Sequence, residues 1–525
     1  MVDTPHETSE PDAIARVRRI RVAVIGGGIA GLVAALEWAR IGASVTVFEA
    51  QDRLGGAIET RELDDLPVDV VADTLPLRDA TVVALLAELG LSDAVEAAAA
   101  HSAWVAGLPG AVGAAPLPAD TTLGIPANPW ADDVRRVIGW SGAWRAFVDR
   151  LRPPLTIGHE RSLGRLVRTR MGDRVVDRLV APVTWGLYGV HPDDIDVDAA
   201  APGLSAALTR VGSLSGAVTA QAAGSGPDAV PAPAPPSRGT LRGGLGLLVD
   251  ALAQRLAELD ATAVTSAAVS ALTRRDGVWR LDVEPGALTG TDRGDVPGAP
   301  GVPGAPDAPR LADVVVLATG ASAAASLLAS AGIAIPAPPA PPARDVVTLV
   351  VDAPALDAAP RGRAVYPVRT PGGRAAEPAA AAVVHATADW PWLAAAAGPG
   401  RHVLRVTLDG PSTASDDAAI TRATRAAGDL LGVPLPAPRA ATVRRAAPAL
   451  PTSVIGRAER AEGARAAAAD VPALAIVGSW VSGSGIGQVV GDAIAQIDRQ
   501  RRSVLWSDTA EMDDTGDVTG SDAAS

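Results

Sequence analysis

The stretch VAVIGGGIAGLVAALEWARIGASVTVFEAQDRLGG, residues Val22–Gly56, decides the fold. Arg21–Ile25 (RVAVI) is a short run with no polar break, the pattern of a buried strand. Ile29–Ile41 is an Ala/Leu-rich helical run, and Ser44–Glu49 (SVTVFE) reads as the next strand. Between strand and helix, Gly26, Gly27, Gly28, Ile29, Ala30 and Gly31 fill the pattern G-x-G-x-x-G. Gly26 permits the tight turn, Gly28 lets backbone approach a pyrophosphate, and Gly31 allows close helix–strand packing. The helix start then offers N–H groups and the positive end of a dipole to phosphate. Glu49 ends the second strand, where a carboxylate accepts from ribose hydroxyls. Arg53-Leu54-Gly55-Gly56 follows directly. A cation and a close-approach glycine pair there suit the deeper pyrophosphate of FAD, and a simple NAD dehydrogenase has no evident use for them.

A third glycine-rich element lies near the end, Val477–Gly487 (VGSWVSGSGIG), between the strand Leu474–Val477 and the helix Gln488–Arg499. N–H groups at such a helix start can stabilise negative charge on the pyrimidine end of a reduced flavin. With 525 residues the chain exceeds one ordinary core, and two interleaved domains are the expectation. The reading is α/β, a Rossmann-type FAD-binding domain with an interleaved α+β substrate-binding domain. The first is expected from three segments, 18–100, 240–335 and 440–505, and the second from 101–223 and 344–439. Segments 1–17, 224–239 (GSGPDAVPAPAPPSRG), 289–309 and 507–525 read as disordered from their Pro/Gly or acidic composition.

Composition excludes several functions. There is no cysteine, so disulfides, thiol catalysis and iron–sulfur clusters are out. Every basic residue is arginine, Phe and Tyr number 2 each, and the net charge is −13. Such an acidic chain is a poor nucleic-acid binder, and its arginines reflect GC-rich coding. The six histidines show no metal-ligand spacing, and no metal is expected. The acidic leader is no signal peptide. The uncharged stretches Val314–Ala343 and Val471–Gly491 are broken by Gly, Pro and Ser, so neither reads as a membrane span. The expected location is the cytoplasm, with peripheral membrane contact and oligomeric state left open. The eleven Trp read as core and pocket wall. No acid–base pair stands out, so the catalytic side chains stay unassigned, as suits a cofactor that carries the chemistry itself.

With these residues laid out, the chain resembles the oxygen-dependent protoporphyrinogen/coproporphyrinogen oxidases, within the wider amine-oxidase-like flavoproteins. The likeness runs through Val22–Gly56, Ser162–Leu204 (SLGRLVRTRMGDRVVDRLVAPVTWGLYGVHPDDIDVDAAAPGL), Leu241–Leu256 (LRGGLGLLVDALAQRL), Asp313–Thr319 and Gly478–Ala493. The second and third of these blocks decide the family. The resemblance implies FAD held by Gly26–Gly31, Glu49, Ala50, Arg53 and the turn Gly55-Gly56-Ala57. It places the backbone of Val269 against the adenine and Ser484, Gly485 and Ile486 beside the flavin ring. It implies oxidation of a porphyrinogen by O2 with release of H2O2, in haem biosynthesis. Coproporphyrinogen III is the expected substrate and protoporphyrinogen IX the alternative. An amine oxidase or desaturase-like enzyme, or a non-catalytic flavin- or porphyrin-binding protein, are the other readings. Val71 stands where the family has a glycine, Arg457 where it has a histidine, and Ser102–Val105 lacks the expected propionate-binding arginine. Arg135, Arg136, Arg145, Arg165, Arg168 and Arg170 are the candidates for that task.

Overall fold

The computed structural model describes residues 17–151, 160–222, 237–285, 310–336, 344–369, 380–410, 415–446 and 453–513. The expectations for 1–16, 224–236, 289–309 and 514–525 lie outside the described residues. The chain forms two compact units. One comprises Met1–Gly56, Leu248–Pro339 and Arg460–Ser525, the other Ala57–Leu247 and Ala340–Glu459.

The first unit is built on a parallel five-stranded sheet. Strand β1 (Arg21–Ile25) is central, followed by helix α1 (Ile29–Arg40) and strand β2 (Ser44–Phe48). The order across the sheet is Thr262–Val264, β2, β1, Val314–Leu317 and Leu474–Ile476. All of β1 beyond Arg21 is buried, as expected of a strand covered on both faces. On one face α1 packs with the terminal helix Ile486–Asp513. There the fully buried Trp38 donates its indole N–H to Gln500 Oε1 at 3.1 Å, and Gln500 Nε2 donates to the carbonyl of Val315 at 3.0 Å. On the other face Ala23, Ile25, Val315 and Leu317 meet Leu272, Trp279 and Leu281 of an antiparallel three-stranded layer, with Leu327 and Leu328 of the helix Ala321–Ser330.

The second unit holds a seven-stranded sheet of order Ala440–Ala446, Arg344–Asp352, Arg401–Asp409, Ala380–His385, Ala364–Pro367, Ala103–Leu108, Gly113–Pro116. Val347, Leu349, Val351, Leu404, Val406 and Leu408 line one face against Ala419, Ala423, Ala427 and Leu431 of the helix Asp416–Leu431. A separate helical cluster, between Asp132 and Ala222, closes around Val137, Ile138, Leu163, Met171, Leu179 and Leu204.

Several expectations are corrected. The first unit stops at Gly56, and 57–100, 240–247 and 440–459 belong to the second. The reason is strand pairing over long range: Arg238–Leu241 pairs with Leu75–Pro76 and Val95–Ala97, and Ala440–Ala446 forms the edge of the seven-stranded sheet. Arg238 and Gly239 therefore lie in a strand and not in the linker 224–239. A Cβ on Gly239 would stand 2.6 Å from Leu77 Cδ1 and 2.7 Å from the Glu96 carbonyl, so this glycine serves a close approach of backbones. The terminal helix continues to Asp513, beyond the expected onset of disorder at 507, because no Gly or Pro interrupts residues 492–515. Trp140 and Trp144 are 70% and 60% exposed on the kinked helix Asp132–Phe147, so they are not core. Among the described residues no helix is long and apolar enough to cross a membrane.

Candidate functional site

The glycine turn follows β1, and the chain leaves β1 for β2 on one side and returns to Val314–Leu317 on the other. This is the switch point at which open parallel sheets bind ligands. Gly26 has φ +110°, and a Cβ there would stand 2.6 Å from the carbonyl oxygen of Ala318. A Cβ on Gly31 would lie 1.9 Å from the carbonyl oxygen of Gly26. Both glycines are demanded by the protein itself. Gly28 is different: a Cβ there would meet nothing nearer than Gly56 Cα at 3.9 Å. The protein itself thus leaves room for a side chain there, with ordinary φ/ψ of −72° and 174°. Gly28 is also the N-cap of α1 and supplies no capping side chain. The first N–H groups of the helix accordingly lack the side-chain acceptor that most helix starts carry. A phosphate fits that vacancy in the capping pattern.

The other expected residues gather around this turn. Gly55 N donates to the Gly27 carbonyl at 2.8 Å, and Gly28 and Gly55 form a parallel bridge. Arg53 donates to the carbonyls of Leu54 (3.1 Å) and Gly56 (2.7 Å), so its guanidinium braces the loop. Glu49 Oε2 accepts from Gly27 N at 2.6 Å and Oε1 from Gln51 N at 2.8 Å, which fixes the carboxylate over the turn. Ala50 is exposed in the bend after β2. Past Thr262–Val264 the pairing with β2 continues, since Glu49 N donates to Val264 O and Ala267 N to Glu49 O. That brings Val269, beside a bulge in Ala267–Arg275, into the same neighbourhood. Ser484, Gly485 and Ile486 follow Leu474–Ile476, so parallel topology puts them at the same end of the sheet. Ala57 begins the second unit. The arrangement has what an extended dinucleotide needs: a glycine gap for a pyrophosphate, an acid at the neighbouring strand end and bare backbone beyond it.

Most of the arginines expected to hold a propionate have other occupations. Arg135 pairs with Asp132 and lies over the Trp140 ring at 4.3 Å. Arg145 donates to the carbonyls of Thr169 and Arg170, and Arg168 pairs with Asp173 and Asp193. Arg170 is buried against Asp149 at 2.7 Å. Arg136 and Arg165 are exposed. The charged network that does line the second unit's interior was not legible in advance. Asp69 accepts from Thr60 Oγ1 (2.5 Å) and from Leu245 N (2.9 Å), and burial raises its carboxyl to about 6. Burial would also raise Asp73, but the Arg405 guanidinium at 2.6 Å holds it below the ordinary carboxylate value. Asp69 and Leu245 are 176 positions apart, and no local signal links them.

A model described as flavin containing amine oxidoreductase matches residues 29–496. Coproporphyrinogen III oxidase of Mycobacterium tuberculosis (strain ATCC 25618 / H37Rv) is 34% identical over 241 residues, 44% of this chain and 50% of that protein. The same-named protein of Propionibacterium freudenreichii is 31% identical over 287 residues, 49% of this chain and 54% of that one. The chain thus spans about half the length of the curated relatives it matches. A crystal structure from Exiguobacterium sp. 255-15, described as a candidate protoporphyrinogen oxidase, superposes with a TM-score of 0.73 at 22% identity, covering 92% of this chain and 98% of that one. At that identity the likeness speaks for the fold.

Proposed function

The chain belongs to the flavin containing amine oxidoreductase family, with FAD as its cofactor and oxidoreduction as its class of chemistry, and from that premise we propose that it oxidises coproporphyrinogen III to coproporphyrin III, with O2 as acceptor and H2O2 released. The observation that carries the substrate is the 34% identity to a coproporphyrinogen III oxidase over 241 residues. The bound FAD supplies a two-electron acceptor for hydride equivalents. The rest is positioning by the chain. The N–H groups at the start of α1, beside Gly28, would hold the pyrophosphate, with Gly55 and Gly56 opposite. Glu49 would accept from the ribose hydroxyls, giving up its bond from Gly27 N in exchange. Val269 would meet the adenine through its backbone. Arg53, by bracing the Leu54 and Gly56 carbonyls, would keep the loop in place with Ala50 and Ala57 flanking it. Ser484, Gly485 and Ile486 would offer the terminal helix start to the flavin ring.

Coproporphyrinogen carries four propionates and protoporphyrinogen two. The proposal therefore expects a higher kcat/KM for the tetra-acid at low salt, shrinking as salt screens the additional charge pairs. A preference for protoporphyrinogen that salt does not alter would remove the substrate assignment and leave the flavin chemistry standing.

A further inference from the structure

We propose that Arg344 and Arg369, gathered about Trp185 and sharing the carboxylate of Asp409, form the seat for a carboxylate of the substrate, one propionate of the tetrapyrrole. This assignment rests on the reading of the function above. All four residues lie in the second unit. Arg344 opens the strand Arg344–Asp352, and Arg369 follows the strand Ala364–Pro367. Trp185 sits in the helix Ala181–Tyr188, inside the block WGLYG. Arg344 Nη2 is 3.0 Å from Asp409 Oδ1, and Arg369 Nη2 pairs with Asp409 Oδ2. Among the described residues two cations thus face one anion. Some buried pairs in this unit balance one to one, as Arg170 with Asp149, Arg238 with Asp389 and Arg405 with Asp73, whereas the buried Glu59 is shared, like Asp409, by two arginines, Arg61 and Arg444.

Among the described residues the excess charge is only partly open to water. The Arg344 side chain is 7% exposed and that of Arg369 34%. Burial lowers the pKa of both guanidiniums, and the charge of Arg344 lowers Arg369 further. A second anion would relieve that repulsion. The approach is open on the side of Arg369, whose side chain is 34% exposed. The Arg369 guanidinium lies 4.4 Å from the Trp185 ring centroid, while that of Arg344 is 5.9 Å away and donates from Nη1 and Nη2 to the Trp185 carbonyl at 3.4 and 3.5 Å. A guanidinium held on an aromatic face keeps edge N–H groups for a carboxylate fork. Arg369 Nε is buried with no hydrogen-bond partner among the described residues.

Two glycines of WGLYG let this helix pack closely, one of them on Arg344. A Cβ on Gly189 would stand 2.5 Å from Arg344 Cζ, and one on Gly186 would stand 2.1 Å from Tyr366 Cδ1. The chain at Trp185–Gly189 is therefore laid directly on the cation and on a buried phenol ring. A bare structural clamp between the helix and the sheet needs one arginine. The second one, half-exposed with an unmet donor, is what a clamp leaves unexplained.

The test titrates the FAD-loaded protein with coproporphyrin III and, separately, with its tetramethyl ester, followed by porphyrin fluorescence. Arg369→Ala should weaken binding of the acid about tenfold, which is about 1.4 kcal/mol, and leave the ester unchanged. It should also raise KM for coproporphyrinogen III with kcat within about twofold. Asp409→Asn removes the competing anion and should tighten the acid several-fold while the ester again stays constant. Equal loss of acid and ester in Arg369→Ala would mean a structural clamp and overturn the assignment. So would unchanged binding of the acid while wild type turns over coproporphyrinogen, and the function would then stand alone. If the wild type neither binds coproporphyrin III nor oxidises its porphyrinogen, both readings fall together.

Discussion

Gly28→Ala should abolish FAD binding at working concentrations without harming the fold, and Gly31→Ala should do the reverse. At Gly28 the new methyl has only Gly56 Cα within reach, at 3.9 Å, and φ of −72° suits any L residue. Replacing an N-cap glycine by alanine costs the apo protein roughly 1 kcal/mol or less. The ligand is affected far more. A phosphate oxygen hydrogen-bonded to these N–H groups sits about 2.7–2.9 Å from nitrogen. A methyl carbon in the same space needs about 3.5–4.0 Å from any heavy atom, which carries the phosphate beyond the roughly 3.2 Å limit of a bond. Each charge-assisted bond lost is about 1.5–3 kcal/mol, so losing two weakens binding on the order of a hundredfold to ten-thousandfold at about 1.4 kcal/mol per decade. At Gly31 the methyl would lie 1.9 Å from the Gly26 carbonyl, inside the β1–α1 junction, and overpacking of that kind costs about 1–3 kcal/mol or more. The assay is the apo-protein Tm together with the FAD Kd from quenching of flavin fluorescence. Wild-type FAD affinity in a folded Gly28→Ala protein would refute the placement of the pyrophosphate beside the turn.

Three further outcomes follow from the same geometry. Glu49→Ala should weaken FAD by about 1.5–3 kcal/mol while retaining the parallel sheet, read as Kd beside an unchanged circular dichroism spectrum. His385 is 1% exposed, 3.0 Å from His402 Nδ1, and burial depresses it to about 3. The unfolded chain therefore takes up the proton first as pH falls below about 6.5, and stability drops by on the order of 2 kcal/mol by pH 5. His385→Leu should lose Tm less steeply between pH 7 and 5, and identical slopes would discount this histidine. Removing residues 514–525 should leave Tm and turnover unchanged, whereas cutting at 507 removes the last part of the terminal helix and should lower Tm.

What the sequence made legible was local. Val22–Gly56 carries its strand, turn, helix and strand within thirty-five consecutive residues, so periodicity and glycine spacing suffice to read the turn and to expect Glu49 and Gly55 near it. Long-range pairing defeats that approach. Gly239 resembles a linker glycine until Leu77 and Glu96 are seen against it. Ala57 opens the second unit although it follows the glycine loop without a break, because the strands beyond it pair with Arg238–Leu241 and not with β2. The arginines sought in 135–170 were taken from one neighbourhood of sequence, where helix carbonyls and nearby carboxylates occupy most of them. Arg344, Arg369 and Trp185 come from three separate segments, and only the folded sheet and helix join them. Burial, too, is invisible in a sequence so uniformly rich in alanine: nothing distinguishes the exposed Trp140 from the buried Trp38 until both are packed.

The most direct test of the central claim is an anaerobic titration of the purified yellow protein with coproporphyrinogen III, following flavin colour and porphyrin absorbance together, and then admission of air with peroxide measured. The account predicts one porphyrin formed for every three flavins bleached, since each bound FAD takes one pair of electrons, and return of the yellow colour in air with one H2O2 for each flavin. Flavin that stays yellow under coproporphyrinogen III, or that bleaches without forming porphyrin, would contradict it.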